Sequence, residues 1–390
     1  MHAREEDLKK VLFLIPSLGG GGAERVFSCI LRHIDRALFE PRLVVFEKKG
    51  EYLADIPSDI AIDTLRENPG KNALYGSVAP LLAWRFAKLL RKERPDTVVS
   101  FMWYSNMVAL LAKSLSGMKF PLIVSERYGF SVSHEGQMVE FLRRSVVRLL
   151  YPKADSLIVN SQEMGFQLER SFNIDPEKVK VIYNPVYIQG IAAAGSEEAE
   201  HPWYKETTPV IVAAGRLSKQ KGFAYLIRAV AILNAAHVPC RLIILGEGSE
   251  KKGLQDLAEE LGIADRVAFP GFKKNPYHYM ANAALFVLSS LYEGFPNVLL
   301  EAQALGVPCV ATRCPTGPDE IITDGVNGLL VPPGDEKALA AAIKRLLGDV
   351  ELRKKFSDAG RKKAEEFRVE KIVKQYEDLI ERVCAGSAEK

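Results

Sequence analysis

Val11-Leu12-Phe13-Leu14-Ile15-Pro16-Ser17-Leu18-Gly19-Gly20-Gly21-Gly22-Ala23-Glu24-Arg25 sets the plan of the whole chain. The opening apolar run, too short for a signal-peptide core or a membrane span and closed by a turn, predicts a strand buried on both faces. Four glycines allow a tight turn and close backbone approach. The segment after them, Glu24 to His33, has helical periodicity. A strand turning through glycines into a helix begins a βα unit, and the helix start offers N–H groups and a positive dipole end to an anion. Glycine turns of this kind also arise for packing alone. The spacing is not the dinucleotide pattern Gly-x-Gly-x-x-Gly, and no acid ends the second strand to hold an NAD ribose.

Working outward, short apolar runs alternate with amphipathic segments through both halves, the pattern of parallel sheets covered by helices on both faces. In the first half the expected strands are Val11–Ile15, Arg42–Phe46, Thr97–Phe101, Leu122–Ser125, Leu157–Asn160 and Val179–Tyr183. The pattern restarts with Val210–Ala214, Leu242–Leu245, Val267–Phe269, Leu285–Leu288, Cys309–Ala311 and Leu329–Val331. Between the two series, Ile188 to Thr208 carries small residues, the acids Glu197, Glu198 and Glu200, and Pro202, which together read as a linker. The expected class is therefore α/β, with two doubly wound Rossmann-like domains facing across a cleft: residues 1–190, a linker at 191–208, and residues 209–367. Residues 368–390 form a final helical segment. Ligands of such sheets bind at the carboxyl ends of the strands.

Composition agrees with this plan. A chain of 390 residues is long enough for two cores. With 47% hydrophobic and 26% charged residues it is neither fibrous, disordered nor mainly embedded in a membrane. Fifty-two basic residues against 49 acidic leave a net charge of +3, too little for a general nucleic-acid binder. The five cysteines are odd in number and scattered, and they read as small buried hydrophobes in a reducing compartment. A cytoplasmic protein without a membrane-spanning anchor is expected.

Two further segments carry chemistry. Gly215-Arg216-Leu217-Ser218-Lys219-Gln220-Lys221-Gly222 follows the first strand of the second series, the same topological place as the glycine turn of the first. Arg216 offers a rigid fork and Lys221 a point charge, and both can neutralise a pyrophosphate; a merely solvated basic turn is the alternative. Glu293-Gly294-Phe295-Pro296-Asn297-Val298-Leu299-Leu300-Glu301 follows the strand ending near Ser289. Pro296 suits the first turn of a helix. The N–H groups of Asn297, Val298 and Leu299 would then point outward as donors, with the carboxylates of Glu293 and Glu301 on either side.

These pieces, in this order, resemble the retaining nucleotide-sugar glycosyltransferases of family 4, which have the two-domain GT-B fold. Gly246-Glu247-Gly248, Pro270-Gly271-Phe272, Gly317-Pro318-Asp319-Glu320-Ile321-Ile322 and Asp324-Gly325-Val326-Asn327-Gly328 also resemble that family. In the first half, Gly21-Gly22-Ala23-Glu24-Arg25, Ser100-Phe101-Met102 and Val124-Ser125-Glu126-Arg127 are most similar to the branch that builds surface polysaccharides and lipid-linked oligosaccharides. The resemblance implies a donor site in which Glu293, Arg216 and Lys221 are catalytic, Arg216 and Lys221 binding the diphosphate and Glu293 the sugar. It implies donor contacts from Gly21, Gly22, Gly294, Phe295, Pro296, Asn297 and Val298, ribose contacts from Glu301, and base contacts from Gly271 and Phe272. The acceptor side is expected at Tyr104, Glu126 and Arg127. Many relatives place a histidine where Arg127 stands; His134 is a candidate substitute and a surface-loop histidine the alternative. The resemblance also implies that the last helix, around Val369–Cys384, crosses back to the first domain.

No Asp-x-Asp occurs, so no carboxylate metal clamp is expected and no cofactor beyond the nucleotide-sugar co-substrate. Charge on the leaving group would be met by fixed cations and helix-start donors. The partners implied are a nucleotide-sugar donor, a UDP-sugar in first place, and a glycan or polyprenyl-diphosphate-linked acceptor, with no nucleic acid. Two basic amphipathic segments, 84–92 and 141–153, fit peripheral contact with the inner face of the cytoplasmic membrane, or equally helices whose cations are solvated. A hydrolase or epimerase of nucleotide sugars, and a non-catalytic sugar-nucleotide binder, are the rival readings.

Overall fold

A computed structural model describes residues 8–19, 21–66, 75–127, 129, 137–198 and 201–388. Gly20 and the candidate His134 lie outside them. The chain divides into two compact units, residues 1–185 with 369–390, and residues 186–368.

The first unit runs β1 (Lys9–Ile15), α1 (Gly22–His33), β2 (Phe39–Val45), β3 (Ile62–Thr64), α2 (Tyr75–Glu93), β4 (Thr97–Phe101), α3 (Trp103–Ser116), β5 (Leu122–Glu126), α4 (Gln137–Leu150), β6 (Ser156–Val159), α5 (Gln162–Phe172) and β7 (Val179–Val181). Its strands form one sheet in the order β3-β2-β1-β4-β5-β6-β7, with every pairing parallel. The strand Ile62-Asp63-Thr64 escapes sequence reading because it is a three-residue edge strand carrying a charge, the usual form of a protected edge.

The second unit runs α6 (Ile188–Gly195), β8 (Val210–Ala214), α7 (Phe223–Ala235), β9 (Arg241–Leu245), α8 (Lys251–Glu260), β10 (Val267–Gly271), α9 (Tyr277–Ala281), β11 (Leu285–Leu288), α10 (Asn297–Ala304), β12 (Cys309–Thr312), α11 (Pro318–Ile321), β13 (Leu329–Val331), α12 (Glu336–Gly348) and α13 (Val350–Ala364). Its sheet is β10-β9-β8-β11-β12-β13, again parallel. The start of the segment expected as a linker, 191–208, is helical. The helix is Ile188–Gly195, Ile191 is buried, and Gly195 packs so closely that a Cβ there would sit 2.7 Å from Leu305 and 3.3 Å from Ala281. The small residues that suggest flexibility serve close helix packing instead, and the division falls after Pro185.

The last helix, α14 (Val369–Ala388), belongs to the first unit. Val369, Ile372, Val373, Tyr376, Leu379 and Ile380 recur at helical spacing and are buried against α1 and one face of the sheet. The opposite face is covered by residues of α2, α3, α4 and α5. Cys29, Cys240, Cys309 and Cys314 are buried thiols outside any disulfide, and Cys384 is half-buried. Burial pushes the Cys314 thiol up to about 12, so it behaves as a small apolar group.

Candidate donor site and buried acceptor-side network

In the second unit the chain builds β8, β9 and β10 toward one edge and then returns to place β11 on the other side of β8. The loops after β8 and β11 therefore leave their strands in opposite directions and open the crevice where ligands of doubly wound sheets bind. Both quoted motifs of the second half lie on these two loops.

The β8 loop ends at Gly222, whose φ of +61° starts α7. A Cβ there would meet the Ser289 carbonyl at 2.1 Å, so only glycine lets this loop lie against the end of β11. Gly222→Ala is expected to cost at least about 2 kcal/mol, from the left-handed backbone alone plus the clash, read as a lower midpoint in chemical denaturation. This approach delivers Lys221 to Glu293. The Lys221 ammonium lies 2.6 Å from Glu293 Oε1, which also accepts the Ser290 hydroxyl at 2.6 Å. The pair is charged, largely buried and placed at the crevice. Arg216, on the same loop, is exposed.

The β11 loop is tied down by groups that the motif reading missed. Ser289 donates to the Lys221 carbonyl at 2.9 Å, the Gln220 side chain to the Tyr292 carbonyl at 3.0 Å, and Thr312 to the Ser290 carbonyl. Thr316 donates to the Glu293 carbonyl. The one signal available in sequence is the pair Ser289-Ser290, polar residues closing an apolar strand. Pro296 is the N-cap of α10, not its first residue. The Leu299 N–H is spent on the Pro296 carbonyl at 3.0 Å, so of the three amides expected to donate outward this one is occupied. Phe295 is buried with its ring 5.7 Å from that of Phe367, and offers a ligand only its backbone. Glu301 is buried on the second turn of α10. Gly271 has φ +85° and lies under the Glu247 carboxylate, while the next residue, Phe272, exposes its ring.

The first unit has its own reversal point, between β1 and β4. Gly21 is the N-cap of α1 and Gly22 its first residue. The Glu24 carboxylate folds back so far that a Cβ on Gly21 would come within 2.3 Å of it, the position a capping-box glutamate takes. An anion arriving at this helix start meets a carboxylate already there, which the sequence expectation did not include.

The three residues expected on the acceptor side are buried. Tyr104 is a core residue, edge-on to Phe46 at 5.5 Å and to Trp103. Glu126 accepts from the Tyr151 hydroxyl at 2.8 Å, from the Arg127 N–H at 3.0 Å and from Arg143 at 3.4 Å. Burial, and then the Glu126 charge, push the Tyr151 phenol well up, so it stays a neutral donor. Tyr151 in turn accepts from Asn106 at 2.9 Å. The Arg127 guanidinium lies 4.6 Å over the Phe101 ring, donates to Asn184 at 2.7 Å and donates to the Tyr376 hydroxyl on α14. Strand β5 ends in this polar network because its last residues, Ser125 and Glu126, are fully covered. Nothing in the local sequence reveals Tyr376 as the partner of Arg127.

On α4, Val146 and Val147 face the sheet while Met138, Phe141 and Leu149 are 78, 69 and 67% exposed. Arg144 and Arg148 are exposed beside them. Arg143, counted among the solvated cations from sequence, is instead buried between Glu126 and Glu140. On α2, Leu81 and Trp84 are exposed, with the Lys88 ammonium 4.8 Å over the Trp84 ring. No helix among the described residues is long and apolar enough to cross a membrane.

Two family models cover the chain in succession: Glycosyltransferase Family 4 over residues 20–189 and Glycosyl transferases group 1 over 196–363. The N-acetylgalactosamine-N,N'-diacetylbacillosaminyl-diphospho-undecaprenol 4-alpha-N-acetylgalactosaminyltransferase of Campylobacter jejuni is 34% identical over 370 residues, 94% of this chain and 98% of the relative. The lipopolysaccharide core biosynthesis glycosyltransferase LpsE of Rhizobium meliloti is 28% identical, over 92% of this chain and 96% of its own. Among solved structures, Anabaena HepE in complex with UDP and glucose superposes with a TM-score of 0.78 at 24% identity, covering 96% of this chain and 99% of HepE. With both halves matched in order, the chain belongs to the family 4 glycosyltransferases of the GT-B fold.

Proposed function

We propose that this glycosyltransferase moves a sugar from a UDP-sugar to a polyprenyl-diphosphate-linked glycan, with retention at the anomeric carbon and without a metal ion. The observation that carries the reading is the buried Lys221–Glu293 pair at the β8/β11 crevice. Its ammonium donates to one carboxylate oxygen, and an ammonium carries three donors, so a phosphate oxygen can share it. The names of the Campylobacter and Rhizobium relatives support a lipid-linked or lipopolysaccharide glycan as acceptor, and the UDP complex of HepE supports the base.

In this reading the bond from the anomeric carbon to the β-phosphate oxygen breaks while the acceptor hydroxyl oxygen bonds to that carbon from the same face. The hydroxyl proton passes to the departing phosphate oxygen. Lys221 and Arg216 neutralise the charge that grows on the diphosphate, which is where fixed cations lower the barrier. Glu293 accepts hydrogen bonds from donor sugar hydroxyls, Glu301 from the ribose, and the exposed Phe272 ring lies against the base. Arg127 orients the acceptor side from within its buried network. A panel of nucleotide sugars tests the donor: at 100-fold over Kd a bound donor stabilises the protein by about 2.7 kcal/mol. Stabilisation by GDP- or ADP-sugars with none by UDP-sugars would overturn the base, and UDP release at full rate with no acceptor present would favour hydrolysis.

We also infer peripheral contact with an anionic leaflet through α4 and α2, where exposed Met138, Phe141, Leu149 and Trp84 sit among cations. Cations near such a surface contribute about 1 kcal/mol each. Replacing Arg144 and Arg148 together by alanine should therefore weaken binding to phosphatidylglycerol vesicles about thirtyfold in co-sedimentation and leave neutral vesicles unaffected. Equal binding of both proteins to anionic vesicles would rule this surface out.

A further inference from the structure

We propose that Thr316 is a positioning residue for the donor sugar, acting by fixing the peptide plane between Glu293 and Gly294. The inference rests on the donor reading above and adds to it a residue that lies on another loop, after β12. Thr316 is 3% exposed, and its hydroxyl donates to the Glu293 carbonyl. Its φ is +151°, a backbone conformation rare for L residues and costlier for a β-branched one. Such a conformation persists only where surrounding contacts over-determine it, and these conformations cluster at functional sites. The next residue, Gly317, presses on the same target: a Cβ there would lie 2.6 Å from Pro296 Cδ and 2.9 Å from the Gly294 carbonyl.

The reason this matters is local. Glu293 is followed by glycine, so the plane of the 293–294 peptide can rotate with little steric resistance. The carbonyl of Glu293 and the N–H of Gly294 share that plane and point in opposite directions. Anchoring the carbonyl therefore sets where the Gly294 N–H points, while the Glu293 carboxylate is held separately by Lys221 and Ser290. The neighbouring carbonyls of Ser290 and Tyr292 are held by Thr312 and Gln220. Thr316 completes the set at the residue that carries the sugar-binding carboxylate. The phosphate-binding cations, Arg216 and Lys221, lie on the β8 loop, which Thr316 does not touch in any hydrogen bond among the described residues.

That separation gives the test. Thr316→Val keeps the shape and removes the donor; Thr316→Ser keeps the donor. Thr316→Val should bind UDP within about twofold of the wild type, lose most of the extra affinity of the UDP-sugar over UDP, and fall about tenfold or more in kcat, the order expected for an unmade buried hydrogen bond at a reacting loop. Thr316→Ser should recover turnover to within about threefold. Thr316→Val turning over within threefold of the wild type would overturn the inference. So would Ser and Val variants that lose UDP and UDP-sugar binding alike together with melting temperature, the pattern of a purely structural residue. Glu293→Ala is measured beside them: if it turns over normally, the donor reading itself fails, whereas loss in Glu293→Ala with none in Thr316→Val rejects Thr316 alone.

Discussion

Lys221→Ala is expected to lower kcat by about 100- to 1000-fold, roughly 2.7–4 kcal/mol of barrier, the range found when one fixed donor to a developing anion is removed. The size follows from where the ammonium sits. It is largely buried beside Glu293, at a crevice whose low dielectric makes each charge count for more than it would in water. Leaving-group departure is the step in which negative charge grows on the diphosphate, so an interaction with that charge acts on turnover as well as on binding. Truncating Lys221 also strands a buried carboxylate, and Glu293→Gln should be combined with it to separate the two effects. If the pair works as a unit, the double variant will be little worse than the poorer single one. Lys221→Arg should rescue only in part, since a planar fork does not replace a compact ammonium. UDP release at saturating donor and acceptor is the measurement. Turnover above a tenth of the wild type, less than about 1.4 kcal/mol, would sink the assignment.

Tyr376→Ala should cost about 3–5 kcal/mol of stability, the usual range for deleting a fully buried aromatic. Tyr376 is 1% exposed, stacked on Phe101 with ring centres 6.2 Å apart, and its hydroxyl accepts from Arg127. Its removal opens a cavity between α14 and the sheet and deprives a buried guanidinium of an acceptor. Against a total stability of about 5–15 kcal/mol this is a large share, and the first unit should lose its hold on α14. Tyr376→Phe keeps the stacking and should cost only about 1–3 kcal/mol, the penalty for an unsatisfied partner. Denaturant midpoints, with limited proteolysis at residues 369–388 as a second readout, measure both. An unchanged midpoint in the alanine variant would show that α14 is held elsewhere.

Several strands, among them Val210–Ala214, Leu285–Leu288 and Leu329–Val331, end where their apolar runs end, because a strand buried on both faces must be apolar throughout. The charged residues on the loops after β8 and β11 were legible for a related reason. They follow the two strands on either side of the sheet's reversal, the place where ligands of doubly wound sheets bind. Burial was not legible. Tyr104, Glu126, Arg127 and Arg143 are polar or amphipathic residues whose burial depends on partners at Phe46, Tyr151, Tyr376 and Glu140. For Arg127 that partner is 249 residues away.

Sequence alone therefore determined the class of fold, two parallel sheets built from βα units, and the charged groups at the reversal of the second sheet. Both follow from short-range physics: hydrophobic runs, glycine turns and the dipole of a helix start. Tertiary structure decided that residues 188–195 are a packed helix, that α14 closes the first unit, that Glu24 occupies the start of α1, and that Thr316 holds the main chain of Glu293. Each of these depends on which distant segments meet, and a local pattern of residues carries no record of its distant neighbour.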